Sequence, residues 1–281
     1  MLVADSVHLR TGWQAELALE FERRGERTVL AARRHAGPLV VQKPLYPEGD
    51  GVCHAIVVHP PAGIAGGDEL DVGVRAAAGA HALLTTPGAG RWYRSSGPWA
   101  RQSLKFEAGA GACIEWLPQE TIVFDGALAD LGTEVRLSGD ACFLGWEVLC
   151  LGRTGSGERF GRGECRVRTS VRRDETLLWQ ERGRIEAGSA LMASPAGLGG
   201  RSVCGMLYAA AKGLGAAAVA ACREVAPAAG DCAVTLLPGV LLARYLGDSS
   251  EAAKSYFVEL WRRLRPVLTG RAAQEPRIWR T

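Results

Sequence analysis

Apolar and polar positions alternate along most of the first two thirds of the chain. In "WQAELALEF", Trp13, Ala15, Leu17, Leu19 and Phe21 fall on one side of an extended strand, and Gln14, Glu16 and Glu20 fall on the other. Segments of similar length follow: "RTVLAARR", "CHAIVVHP", "HALLTTP", "QSLKFEA", "ACIEWLP", "EVRLS" and "CFLGWEVLCLG". Each alternates or runs apolar, with Gly or Pro near its ends, which predicts many short strands between Trp13 and about Trp179. The expected fold is mainly β.

The pattern changes in the last third. Ala209 to Glu224 is dense in alanine and predicts a helix, although Gly213 and Gly215 would each cost about 1 kcal/mol relative to Ala. Two strand-like runs, "CAVTLLP" and "GVLLARYLG", come next. "GDSSEAAKSYFVELWRRLRP" then sets Tyr256, Phe257, Leu260, Trp261 and Leu264 at helical spacing. Asp248 or Ser249 is the expected N-cap, Glu251 lies in the first turn, and the helix is expected to stop before Pro266. No sequence period of roughly 20 to 50 residues stands out, and no Gly/Ser-rich or Pro-rich linker divides the chain. One body over residues 1–281 is expected, β-rich through 205 and mixed helix and strand from 206 to 281.

Composition narrows the function classes. Apolar residues at 47% and charged residues at 22% are ordinary globular values. A net charge of +3, from 33 basic and 30 acidic residues, gives no large positive field for phosphate backbones, so nucleic acid is not an expected partner. The arginines between Arg153 and Arg184 are interleaved with Glu158, Glu164, Asp174, Glu175 and Glu181, which suits a solvated, internally paired surface. "MLVADSVHLR" has neither a basic n-region nor a long apolar h-region, so a cytoplasmic protein is expected. Val203 to Cys222 approaches membrane length, but Lys212 lies within it and no transmembrane helix is expected. The eight cysteines form no CxxC pair and sit mostly in apolar runs, as reduced, buried thiols would.

The common enzyme motifs do not occur in the sequence. There is no P-loop, no clean GxGxxG, no HExxH and no GxSxG. Cys53, His54 and His59 cannot share an ion on a strand. Cys53 and His54 point to opposite faces, and Cys53 and His59 stand about 20 Å apart. Strand histidines satisfied by local hydrogen bonds are expected instead. "TTPGAGRWYRS" supplies hydroxyls, Arg91, Trp92, Tyr93 and Arg94 but no base to activate a nucleophile, so it reads as a structured turn leading into a contact or core surface.

Carboxylates carry more information. Asp68, Glu69 and Asp71 follow the pair Gly66 and Gly67, while Glu115, Glu120 and Glu147 are embedded among Trp, Phe, Ile, Val and Leu. A carboxylate in apolar company needs a partner, whether Arg, backbone amides or a cation. Oxygen-rich, histidine-poor surroundings suit weak, transient cation handling. A hydrolase using Glu115 and Glu120 as acid and base stays open on residue type alone.

The order of motifs goes further. "RRHAGPLVVQKPLYPEG", "CHAIVVHPPAGIAGGDEL", "LLTTPGAGRWYRSSG", "EWLPQETIVFDGA", "WEVLCLGRTGSGERFGRGE", "LLPGVLLARYLGDSSEA" and "LWRRLRPVLTGRAAQEPRIWRT" together resemble the urease accessory protein UreD (UreH) family, from about Trp13 to Thr281. Ala62 departs from the resemblance, standing where the family more often has a second glycine. The resemblance implies a large β-rich body of solenoid-like, two-layer sheets with two α-helices in the C-terminal half. It implies a non-enzymatic maturation factor with no tightly bound cofactor and with transient nickel. The implied partners are UreF, the GTPase UreG and the apo-urease subunits, with no membrane involved. By the same resemblance nickel passes along an internal polar path, for which Asp68, Glu115, Glu120 and Glu147 are candidates, with Asp71, Glu181 and Ser95 beside them. Trp261, Arg265, Arg277, Trp279 and Arg280 are candidate contacts for UreF, or else Trp261 and Trp279 simply pack the last helix on a sheet.

Overall fold

The computed structural model describes residues 12–280. The opening stretch read above for a secretory signal, residues 1–10, and the final residue 281 lie outside the described residues. In chain order the elements are β1 (Gln14–Arg24), β2 (Arg27–Ala36), β3 (Val40–Val41), β4 (Cys53–Val58), β5 (Glu69–Ala76), β6 (His81–Thr85) and β7 (Gly90–Trp92). They continue as β8 (Ala100–Ala108), β9 (Cys113–Trp116), β10 (Thr121–Val123), β11 (Leu128–Leu137), β12 (Cys142–Leu151), β13 (Glu164–Arg173) and β14 (Thr176–Glu186). The C-terminal part holds α1 (Ala190–Ala193), β15 (Val203–Ala210), α2 (Ala216–Arg223), β16 (Asp231–Leu237), β17 (Val240–Gly247) and α3 (Ser250–Thr269).

Two stacked sheets organise these strands. A seven-stranded sheet runs β14-β13-β11-β8-β5-β1-β2, and a ten-stranded sheet runs β16-β17-β15-β12-β9-β6-β4-β3 with β10 and β7 paired beside β12. From β4 to β13 the chain passes from one sheet to the other in successive coils. β4, β6, β9 and β12 are parallel neighbours in one sheet, and β5, β8, β11 and β13 are parallel neighbours in the other. The architecture is solenoid-like. Antiparallel hairpins β1–β2 and β13–β14 finish the seven-stranded sheet, while β15, β17 and β16 extend the ten-stranded one. The coil repeat is visible in the structure although no period stood out in the sequence. Cys53, Ala82, Ile114 and Phe143 are successive neighbours across β4, β6, β9 and β12, all buried between the sheets. Each layer needs only an apolar side chain of fitting size, so unlike residues fill equivalent places.

The two sheets differ in what covers them. On β1 the residues Ala15, Leu17, Leu19 and Phe21 are buried between the sheets, as the alternation predicts. Trp13, grouped with that face above, is 57% exposed because the ladder with β5 starts at Gln14 and leaves Trp13 beyond the end of the sheet. The middle of the ten-stranded sheet is covered on both faces, which explains why β12 is apolar on both sides apart from Glu147. Phe143 and Leu149 face the other sheet, while Leu144, Trp146 and Val148 face α3. On α3, Tyr256, Phe257, Leu260, Trp261 and Leu264 are buried against that outer face. Gly205 on β15 makes room for the helix, since a Cβ there would stand 2.8 Å from the Phe257 ring.

Two helix boundaries differ from the sequence expectation. Ala209 lies in strand β15, and the helix begins only at Ala216, because Gly213 takes φ +95° and Gly215 is extended. At the other helix, α3 runs through Pro266 to Thr269, one more turn than expected. Pro266 removes a single backbone donor near the helix end, and that turn is held by Thr269 Oγ1 donating to Arg265 O at 2.9 Å and by Gly270 in the left-handed region at φ +69°. Ser249 is the N-cap, its Oγ accepting from Ala252 N at 3.1 Å. The cysteines are free, and six are buried, but Cys204 is half-buried and Cys232 is exposed, so the buried-thiol expectation fails at Cys232. No described helix is long and apolar enough to cross a membrane.

Candidate functional site

Glu115 sits on β9 facing α3, 1% exposed, and it is fully partnered. Arg265 Nε donates to both of its oxygens at 3.1 Å, Trp261 Nε1 donates to Oε2 at 2.5 Å, and His81 Nε2 lies 2.7 Å from Oε1. Arg265 also forks onto a second carboxylate, Glu48, with contacts of 2.6 and 2.8 Å, and His54 Nε2 lies 2.6 Å from the same Glu48. Burial alone would push both carboxyls up. The facing His and Arg groups outweigh it, holding Glu115 below the usual carboxylate range and Glu48 at about 2. Arg265 Nη1 donates once more, to Ala272 O at 2.5 Å, so the cluster ties α3 and the segment after it to the sheet. Every carboxylate oxygen here is used, and solvent does not reach Glu115, so this carboxylate can meet no substrate as an acid or base.

Glu147 is placed differently. It points inward from β12, between the sheets, where it accepts from Thr133 Oγ1 at 2.8 Å. Thr133, Thr169 and Glu181 are successive neighbours across β11, β13 and β14, and Glu147, Met206 and Arg244 are successive neighbours across β12, β15 and β17. The two rows face one another, because Thr133 bonds Glu147 and Arg244 Nη1 donates to Glu181 Oε1 at 3.0 Å, with Nη2 on the second oxygen. This makes a polar layer inside an otherwise apolar sandwich, flanked by Leu131, Val135, Leu149 and Val171. Burial pushes the Glu147 carboxyl up and the nearby Glu181 charge adds to it.

The layer is under-bonded. The hydroxyl of Tyr208, 1% exposed, and Oγ1 of Thr169, 2% exposed, have no hydrogen-bond partner among the described residues. Tyr208 comes close to Thr133 without reaching hydrogen-bond geometry. Leaving such groups unsatisfied costs about 1 to 3 kcal/mol each, so their retention needs an explanation. Deeper in, Thr133 neighbours Leu104, which also lines a cavity of about 170 Å³ with Trp116, Gln102 and His59.

The other candidate residues lie apart from this layer. Asp68, 7% exposed, accepts from Trp13 N and Ala65 N, each at 2.8 Å, and clips the loop before β5. Asp71 is exposed on the outer face of the seven-stranded sheet. Ser95 donates to Pro98 O at 2.5 Å and accepts from Gly97 N within its own turn. Glu120, half-buried before β10, is an electrostatic neighbour of Lys254. The candidates thus separate into a saturated cluster around Glu115, a polar layer holding Glu147 and Glu181, and isolated positions. Among the described residues, no three His, Cys, Asp or Glu side chains converge closely enough to hold a metal ion.

Glu48, His81, Thr133, Thr169, Tyr208 and Arg244 were not singled out by sequence. Arg244 had a visible signal, as a lone charge inside the apolar strand run "GVLLARYLG". The others are unremarkable until the strand registers set them together.

A family model described as UreD urease accessory protein matches residues 14–280. The chain belongs to the UreD family. A urease accessory protein UreD of Azoarcus sp. (strain BH72) is 61% identical over 272 residues, spanning 96% of this chain and 95% of its own length. The UreD proteins of Dechloromonas aromatica (strain RCB) and Methylobacillus flagellatus are 53% and 50% identical, each spanning 96% of this chain and 95% of their own.

Within this UreD chain, Trp261 and Arg265 are 0% and 1% exposed, which corrects their expected place at a partner surface. Trp261 bonds Glu115 and packs on Trp279, with ring centroids 6.0 Å apart. Trp279 is half-buried, donates from Nε1 to Thr85 Oγ1 at 2.8 Å and packs on Trp146, whereas Arg277 and Arg280 are exposed. Ala62, the departure from the usual UreD loop, takes φ +61°, a left-handed conformation that glycine adopts without strain.

Proposed function

We propose that this chain is a urease maturation factor that joins UreF and UreG to apo-urease and assists GTP-dependent nickel insertion, handing nickel along the polar layer between its sheets. The role in maturation follows the family to which the chain belongs. The conducting role rests on one observation: a carboxylate, hydroxyls and an ion pair cross an apolar sandwich with hydrogen-bonding capacity left over. A mobile divalent cation needs oxygen donors that hold it weakly and in series, since a tight chelate would trap it. Glu147 and Glu181 supply charge, and Thr133, Thr169 and Tyr208 supply neutral oxygens.

The role is tested in cells carrying a complete urease gene cluster with and without this gene. Nickel-poor, inactive urease in its absence, restored on re-expression, is the expected result. Fully loaded urease without the gene would end the reading. For the path, Glu147→Gln is expected to lower urease nickel content severalfold while the variant still co-purifies with UreF and UreG. Wild-type nickel content in that variant would remove Glu147 from the path.

A further inference from the structure

The polar layer has two unlike ends. At its inner end Glu147 and Thr133 adjoin Leu104 and the cavity behind it. At its outer end the side chains of Glu181 and Arg244 are 31% and 52% exposed, so the pair stands where the layer meets solvent. Arg244 spends two donors on the two oxygens of Glu181, a fork-to-fork pairing. That geometry uses the outermost carboxylate of the layer and neutralises its charge where the layer meets solvent. A cation arriving from solvent finds that ligand already taken by a guanidinium instead of free to draw it in. A guanidinium does not deprotonate in the physiological range, so only movement of Arg244 clears the way.

We infer that Arg244 is an electrostatic gate on the polar layer, closed when paired with Glu181 and open when its guanidinium is drawn aside. The gate rests on the reading of this layer as a cation path and adds its regulation. Closure has a direct benefit for a weak path, because it keeps adventitious divalent cations out of under-bonded oxygens. Arg244 is half exposed, so a carboxylate from outside the chain can compete with Glu181 for it. The pairing also explains why Arg244 stands in an apolar strand, at a position whose neighbours Leu242 and Met206 belong to the core.

Cys204 offers a probe that does not depend on nickel. It lies two residues from Met206 on β15, is half-buried, and feels both charges: burial pushes its thiol up to about 11, Arg244 pulls it down and Glu181 raises it. In a Cys232→Ser background, which removes the exposed thiol, the rate of Cys204 modification is measured with a trimethylammonium methanethiosulfonate and with a neutral methanethiosulfonate. The ratio of the two rates cancels any change in the thiol's own acidity. Arg244→Gln is expected to raise the cationic-to-neutral ratio about fivefold at low salt, while Arg244→Lys, which keeps the charge, stays near wild type. An unchanged ratio in Arg244→Gln overturns the gate. An equal rise in Arg244→Lys also overturns it, because the barrier would then be shape and not charge. Failure of the path itself reads out separately, as wild-type urease nickel content in Glu147→Gln with the labelling ratio still responding to Arg244→Gln.

Discussion

Glu115 and Glu147 look alike in the sequence, each a lone carboxylate in an apolar strand, and they sit on strands of the same sheet. They face opposite sides of that sheet. Glu115 looks out toward α3 and is matched by Arg265, Trp261 and His81; Glu147 looks in toward the second sheet and has one hydroxyl partner, Thr133. The shifts have opposite sign for the same reason, since burial raises both carboxyls and only Glu115 has cationic and donor groups to outweigh it. A saturated buried carboxylate fixes structure, whereas an under-bonded one keeps capacity for something that comes and goes.

Removing the charge that saturates the helix-side cluster is expected to have the largest effect. Arg265→Met leaves Glu48 and Glu115 buried without their shared cation and should destabilise the fold by about 3 to 5 kcal/mol, read as a lower denaturant midpoint. A loss below about 1 kcal/mol would mean that the two histidines carry the cluster alone.

The two sides of the sheet respond to pH in opposite directions. Glu48, held at about 2, contributes stability that is present above its unfolded value near 4.5 and is lost as pH falls toward 2. Wild type and Glu48→Gln should therefore differ by about 3 kcal/mol at neutral pH and converge through that acid window. Parallel stability curves would contradict the ion pairing. Glu147 behaves in reverse, because a raised carboxyl makes the fold lose stability as pH rises from the ordinary carboxylate range.

Ser249→Ala removes the cap of the helix that covers Glu115 and is expected to cost about 1 kcal/mol, seen as a modest drop in Tm without loss of the Arg265 cluster. The smallest stability change belongs to Glu147→Gln, which is expected to be neutral to slightly stabilising at neutral pH because it removes a charge that burial disfavours, despite its expected effect on nickel content. A large destabilisation there would place Glu147 with Glu115 as a structural residue and erase the comparison.

Much of the strand content was legible because period-two alternation is local, as in Ala15, Leu17, Leu19 and Phe21. The helix α3 was legible from its apolar spacing and Ser249, and the family from the order of its motifs. The coil repeat was not, since Cys53, Ala82, Ile114 and Phe143 share a place in the coil without sharing a side chain. The candidate site was half legible. Glu115, Glu120 and Glu147 were flagged as carboxylates in need of partners and Glu181 as a further path candidate, but the partners of Glu115 and Glu181 come from far along the chain. Arg265 is 150 residues from Glu115, and Arg244 is 63 from Glu181. Trp261 and Arg265 were placed at a partner contact by the family resemblance, and burial against the sheet overrode that.

By itself the sequence determined the strand and helix pattern, the family, the absence of common catalytic motifs and the set of carboxylates that need partners. These depend on residue type and short spacing. Only the tertiary structure decided which face of the sheet each carboxylate occupies and whether it is saturated. Both follow from strand registers and the coil handover between sheets, which bring distant residues within about 3 Å of one another, the range in which hydrogen bonds form.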